Sequence, residues 1–347
     1  MHVVRGATAD DVWRSAANLF QEGGPAQRQS GRGGQTEELL HVFLEITEPR
    51  QRWVVSRTPP INPAFALVEV FWIAAGRRDS HLPSYWNPAL TSYCGSTTEL
   101  LGAYGYRLRS RFGFDQLDRI FKVLQARPDT RQGVLQIWDP SIDFPYEDGT
   151  PSRADIPCNV MAIPKIRAGR LEWLQVMRSN DIFRGLPYNF VQFTSLQEIL
   201  AGWLEIPAGS YHQVSDSLHA YAPELSAIRA STVAIPLPAS TDSLALTRTD
   251  WERVIGRVIK RVERMASQET TLKDFRTIAF ESDVPEPYEN AIKIIGADAA
   301  RRRGWGDIAA ECAEQCCSAV LRALWGQWYA RVHNTAARPT PAELATV

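Results

Sequence analysis

The segment AFALVEVFWIAA (64–75) is apolar at every position except Glu69. A surface helix keeps a polar stripe, so a helix without one has to be buried. It is also too short for a bilayer, which takes about 20 apolar residues. It therefore reads as a buried helix that stops at Gly76, inside a protein with a substantial core. The chain has 347 residues, of which 44% are hydrophobic, and that is enough to supply one. The single carboxylate in this helix then needs a reason to be there.

Around that helix the pattern is mixed. Residues 8–22 predict a first helix with Thr8 and Asp10 as caps. Gly23–Gln35 reads as a loop, and Leu39–Ile46 and Arg52–Val55 as strands or extended chain. Residues 80–96 read as loop and Phe114–Ala126 as a helix. Val134–Trp138 reads as a buried strand, followed by a polar insertion over Pro140–Ile156 with a turn at Asp148–Gly149. Asn159–Ile166 and Leu171–Met177 predict a hairpin closed by Ala168–Gly169. Phe190–Leu204 is a long apolar helix, and Ser210–His219 leads into another strand. Past about residue 224 the pattern turns helical, at 250–267, 288–296 and 305–331, and the last dozen residues read as a tail. No proline-rich linker divides the chain. The expectation is a core over 1–225 and a mainly helical part of the same domain over 226–347.

Composition narrows the function. Lys plus Arg is 38 against 39 for Asp plus Glu, without the basic excess that nucleic-acid phosphates demand. No stretch approaches the roughly 18 apolar residues of a membrane span. The start, MHVVRGATADDVWRSA, has no apolar leader core, which predicts a cytoplasmic protein. Five cysteines at irregular spacing do not form a disulfide framework, so reduced thiols are expected. Cys94 reads as a small buried hydrophobe. Cys312, Cys316 and Cys317 lack the further ligands of a zinc site, so no metal is predicted. The Arg pair at 77–78 and the run at 301–303 read as solvated faces.

The chemistry lies in a series of short motifs: PCN (157–159), RSND (178–181), GLPYN (185–189) and LHAY (218–221). Their order and spacing resemble the thymidylate synthase superfamily, from about Arg32 to Tyr221. VEVFWIAAG (68–76) is similar to the family's helix that carries the catalytic glutamate, at Glu69. GAYGYRLR (102–109) places Tyr104 at the family's tyrosine. PDTRQ (128–132) is similar to the segment that lends arginines across a dimer, and SGRGG (30–34) to the loop that grips phosphate.

The resemblance implies an α+β fold, with a large mixed β-sheet flanked by helices and a helical C-terminal extension. It implies a homodimer with sheets back to back, Arg131 reaching into the partner's site. It implies one-carbon transfer to C5 of a pyrimidine nucleoside monophosphate, with 5,10-methylenetetrahydrofolate as co-substrate. Cys158 would add to C6, because C5 becomes nucleophilic only after such an addition and a thiolate both attacks and leaves well. Arg32, Arg131 and Arg178 would bind the 5′-phosphate and favour the thiolate, with Ser179 as a hydroxyl donor. Asn189 would read the base: uracil in one amide orientation, cytosine in the other. His219 and Tyr221 would hold the sugar hydroxyl, and Glu69 would order water and move protons. Asn159 and Tyr104 join the catalytic set. Trp86, Asp181 and Gly185 fall on the folate side, and Asp181 on the nucleotide side as well.

The chain also departs from the methylating members. They carry His after the cysteine, where Asn159 stands, and Gln where Ile163 stands. They have a second Arg where Gln132 follows Arg131, and Asp where Ser217 stands. The wording around RSND and SLH is similar to deoxycytidylate hydroxymethylases, as is the insertion before the cysteine. Those enzymes carry Asp at the position of Asn189. Hydroxymethylation of a uracil or cytosine nucleotide is the expected reaction, with methylation of dUMP and an idle nucleotide-binding or regulatory role as rivals.

Overall fold

A computed structural model describes residues 2–31, 33–95 and 98–336. Its centre is a mixed sheet. The strands are β1 (His2–Gly6), β2 (Gln27–Gly31), β3 (Gly34–Ile46), β4 (Leu135–Gln136), β5 (Asn159–Arg167), β6 (Arg170–Met177), β7 (Asn180–Asp181) and β8 (Ala208–Tyr221). They run in the order β1-β3-β8-β6-β5-β4, with β2 paired to β3 and β7 to β8. Pairs β1–β3, β6–β8 and β7–β8 are parallel and the others antiparallel. The β5–β6 hairpin turns through Ala168 and Gly169, both at positive φ (48° and 70°). Two such residues make the turn whose twist matches that of the strands it joins.

The helices used below are α1 (Ala9–Asn18), α2 (Pro63–Ala74), α3 (Gln116–Ala126), α4 (Leu186–Trp203), α5 (Arg248–Ala266), α6 (Leu272–Phe280), α7 (Glu286–Arg302), α8 (Gly306–Glu314) and α9 (Ala319–Ala336). Helix α4 lies on the sheet against β6 and β8. Helix α2 packs on α4 from one side and on α7 from the other. This is why both can be apolar all round: each is sandwiched between layers. The polar side chains buried in α4 are paired. Gln197 donates to the carbonyls of Leu171 (2.8 Å) and Gly209 (3.2 Å), and Glu198 takes Arg50 at 2.9 Å and a close contact from Arg52. At the start of α2, Asn62 caps the helix through Ala64 N–H and Phe65 N–H, and donates to the fully buried Asp298 of α7. The C-terminal helices are thereby tied to the helix that carries Glu69.

Several local expectations change. Gly23–Gln35 is not a loop: β2 and the start of β3 form a hairpin there. Its exposed polar strands have no apolar alternation to betray them. Arg52–Val55 has no strand pairing. It is extended chain held by the Asp10 carboxylate, which accepts from the N–H groups of Val55 and Ser56 (both 2.8 Å). Residues 80–96 contain two short helices, His81–Trp86 and Leu90–Cys94; Pro83 is tolerated because it sits in a first turn. The helix expected over 305–331 is broken at Gln315–Ser318 into α8 and α9, and α6 went unread.

The arginines at 301–303 are not a solvated face. Arg301 and Arg302 pair with the buried Asp298 at 2.8 and 2.9 Å, and Arg303 donates to backbone carbonyls of Met265 (2.8 Å), Ser267 (2.5 Å) and Thr270 (3.1 Å). Arg77 likewise bridges Asp79 and Glu263. The expected tail lies largely outside the described residues.

Candidate active site

The site forms where the β5–β6 hairpin opens onto α2 and α4. Cys158 directly precedes β5 and Arg178 directly follows β6, so strand pairing brings them together: Arg178 N–H donates to Cys158 O at 2.9 Å. The guanidinium turns back over the same segment, with Nε on Pro157 O at 3.0 Å, and lies 5.2 Å from the centre of the Trp138 ring. Arg178 is thus a clamp on the backbone that bears the thiol. Ser179 follows, partly exposed.

Tyr104 comes from a short helical turn packed tightly on α2. A Cβ at Gly105 would stand 2.2 Å from Ile73 O, so only glycine permits the approach. Tyr104 is half-buried, and its pKa is raised by desolvation first and then by Cys158 and Glu69. Arg178 and a hydrogen bond from the Cys158 backbone oppose this. One phenol therefore senses the thiol, the carboxyl and the guanidinium together.

Glu69 opens partly onto the site but is otherwise surrounded by protein. Burial pushes its carboxyl from the ordinary 4.5 up to about 8, against a smaller opposing pull from Gln192, which donates to Oε2 at 3.1 Å. A carboxyl so placed holds or releases a proton near neutral pH, as general acid–base work requires. Gln192 in turn accepts from Asn189 Nδ2 at 3.1 Å. Three side chains thus form a line from the acid to the amide expected to read the base. Both amides lie on α4, three residues apart and so on one face.

The approach to α4 is shaped by Asp181. Its Oδ1 accepts from Phe183 N–H (2.7 Å) and Arg184 N–H (2.8 Å), and its carbonyl from Gly185 N–H (3.0 Å). Asn189 Oδ1 lies toward Gly185, 3.6 Å from where a Cβ there would stand. In β8, Asp216 pairs with His41 Nδ1 at 2.7 Å, and His41 has φ 55°. Beyond this irregularity the alternation changes phase: Tyr211, Gln213 and Ser215 are buried before it, Leu218 and Ala220 after it. His219 and Tyr221 emerge partly exposed, their rings edge to face at 5.4 Å. The β2–β3 turn leans on Tyr221, with a Cβ at Gly33 falling 2.8 Å from the ring. Arg32, in that turn, lies outside the described residues.

Other expected members stand apart. Arg131 is exposed on the loop between α3 and β4, and no hydrogen bond or ion pair among the described residues joins it to Cys158 or Arg178. Trp86 is 1% exposed, with its indole N–H on Ile295 O of α7 at 3.3 Å, facing the helical layer. Asn159 is fully buried. Its Oδ1 accepts from Gln175, while its Nδ2 meets no acceptor among the described residues. Gln192, Trp138 and Arg57 were missed by the sequence reading. Arg57 stacks 3.9 Å over Phe183 and is lowered to about 10 by burial. Gln192 had a signal, a polar residue one turn past Asn189 in an apolar helix. Among the described residues no cluster of side chains suits a metal ion, and no helix is long and apolar enough to cross a membrane.

Comparison with known proteins identifies the family. The family model described as thymidylate synthase matches residues 17–276. A deoxyuridylate hydroxymethyltransferase of Bacillus phage SP01 is 33% identical over 201 residues, covering 55% of this chain and 51% of that protein. One of Pseudomonas phage M6 is 33% identical over 209 residues, covering 58% and 57%. A putative thymidylate synthase of Methanothermobacter marburgensis is 32% identical over 196 residues, covering 55% and 80%. The chain spans about half the length of the two phage relatives. With a family match over most of its length and the mixed sheet that carries it, this chain belongs to the thymidylate synthase family.

Proposed function

We propose that the protein hydroxymethylates C5 of a pyrimidine nucleoside monophosphate, with 5,10-methylenetetrahydrofolate as one-carbon donor. The observation that carries this reading is the meeting of Cys158, Arg178 and Glu69 around the half-buried phenol of Tyr104. The Cys158 thiolate adds to C6 and makes C5 a carbon nucleophile. The folate supplies the carbon at the oxidation level of formaldehyde. Glu69 and Tyr104 handle protons at the base carbonyl and at C5, and Arg178 with Ser179 receives the phosphate. Water then adds to the new carbon, C5 keeps a hydroxymethyl group, and the thiolate leaves C6. Net, the nucleotide, the folate and one water give the hydroxymethyl nucleotide and tetrahydrofolate.

Two observations favour water over hydride as the final nucleophile. The relatives of 33% identity are named deoxyuridylate hydroxymethyltransferases. Asn159 stands where the methylating members have His and offers a buried, uncommitted N–H beside the nucleophile. Asp181 and Gly185 would form the folate side of the entrance to α4, while Trp86, which faces the helical layer, is given no contact with the folate.

The working unit in this reading is a homodimer. The outer face of the sheet shows Phe43, Met161, Ile163, Leu174, Val176 and Val214, all partly exposed, and a second copy would cover it and bring Arg131 to the partner's phosphate. The test is incubation with methylenetetrahydrofolate and dUMP, UMP, dCMP and CMP, with products identified by mass spectrometry. A hydroxymethyl nucleotide supports the proposal and names base and sugar. A methylated product replaces it with the methylating reaction. No product from folded protein that binds nucleotide leaves the binding-module reading.

A further inference from the structure

Gln192 is buried in the first turns of α4, between Glu69 and Asn189, and takes no part in the steps above. Its position has a chemical consequence. A primary amide has one donor end and one acceptor end, so a Gln between two partners gives them opposite roles. Glu69 Oε2 accepts from Gln192 Nε2 at 3.1 Å, whether or not the other carboxyl oxygen carries a proton. Gln192 Oε1 is then left to face Asn189, and it accepts from Asn189 Nδ2 at 3.1 Å. The Asn189 amide is held with its nitrogen toward Gln192 and Glu69 and its oxygen toward Gly185.

That polarity bears on the base. Position 4 of a pyrimidine adjoins C5, the reacting carbon, and N3 lies one atom farther off. Glu69 serves the reacting side, so the substituent at position 4 faces the Asn189 nitrogen and N3 faces its oxygen. Uracil, with O4 an acceptor and N3–H a donor, fits both. Cytosine, with an amino group at position 4 and a bare N3, meets donor with donor and acceptor with acceptor. We infer that Gln192 is a specificity-determining positioning residue, which selects uracil over cytosine by fixing the orientation of the Asn189 amide. This rests on the reaction proposed above, with Asn189 reading the base as the family resemblance implies.

The experiment compares wild type, Gln192→Met and Gln192→Glu, by equilibrium binding of dUMP and dCMP and by release of the C5 hydrogen from each. Methionine fills the space without hydrogen bonds. Glutamate still accepts from Asn189 Nδ2 and so keeps its orientation, while losing the donor to Glu69. Wild type is expected to prefer dUMP. Gln192→Met should lower the dUMP-to-dCMP preference at least about 10-fold, the scale of one mismatched buried hydrogen-bond pair. Gln192→Glu should keep the preference within about 3-fold while slowing the reaction. A Gln192→Met variant that keeps the wild-type preference, with only its rate or stability changed, overturns the inference. So does wild-type protein that binds the two nucleotides equally, binds neither, or prefers dCMP. Preferential dUMP binding that responds to Gln192 in this way, without any turnover, would sink the proposed reaction and leave the inference standing.

Discussion

The two faces of the central sheet are built to opposite plans. The inner face, covered by α4, carries polar side chains: Trp173 donates to Gln175 and Gln175 to Asn159, while Tyr211 donates to Gln213 and Gln213 to Ser215, which also receives Asn180. All are buried. The outer face, open in one chain, carries Phe43, Leu174, Val176 and Val214. Buried amides are costly unless bonded, and exposed apolar surface is costly unless covered. The inner face meets most of its cost within the chain, by forming two hydrogen-bonded lines that run toward Cys158 and toward the bend of β8, and leaves Asn159 Nδ2 and Asn180 Oδ1 over. In the proposed dimer, a second copy would meet the cost of the outer face.

That contrast can be broken at its meeting point. Cys158 sits where β5 leaves the sheet, and Cys158→Ala should abolish C5-hydrogen release, by at least about 10³-fold, with the nucleotide still bound. Residual exchange near the wild-type rate would remove the thiol from the mechanism. On the outer face, Val176→Asp should give monomers in sedimentation and cost more than about 10-fold in activity, since a monomer cannot receive Arg131. A monomeric wild type, or an active Val176→Asp monomer, would erase the role given to that face. On the inner face, Gln213→Leu should leave the oligomer intact. It should cost about 1–3 kcal/mol in denaturant unfolding, because it strands the Tyr211 hydroxyl.

The smallest effect concerns Glu69. Folding raises its carboxyl from 4.5 to about 8, so between these values the folded chain holds a proton that the unfolded chain has released. Its contribution to stability is present below about 4.5 and is lost as pH rises through about 8. Glu69→Gln should remove that slope, which is at most about 1.4 kcal/mol per pH unit, and so gain on wild type as pH rises from 5 to 8. Parallel stability curves for the two proteins would show that the carboxyl is not held neutral.

How much of this was legible depended on how local the cause was. The β5–β6 hairpin, α2 and α4 were readable because apolar runs and a turn dipeptide encode them within a few residues. The β2–β3 hairpin was not, because its strands are polar and exposed, and their pairing is set by β3 lying against β8. The motif residues Cys158, Arg178, Asn189 and His219 could be named in order along the chain. Their surroundings could not, since Gln192 reaches Glu69 across 123 positions and Asp10 reaches Val55 across 45. Arg301 and Arg302 looked like solvated charge because nothing nearby announced that Asp298 would be buried beneath them.

The grip of Arg178 on Pro157 O has a consequence for how such a catalyst would be switched on. The guanidinium proposed to receive the phosphate is fastened to the main chain one residue before the sulfur. A substrate's phosphate would therefore act as a key as well as a handle, since its arrival loads the same lever that sets the height of the thiol. A nucleoside without its phosphate should then react slowly even at saturation, and kcat measured with deoxyuridine would read that directly. Equal kcat for nucleoside and nucleotide would mean that handle and trigger are separate parts.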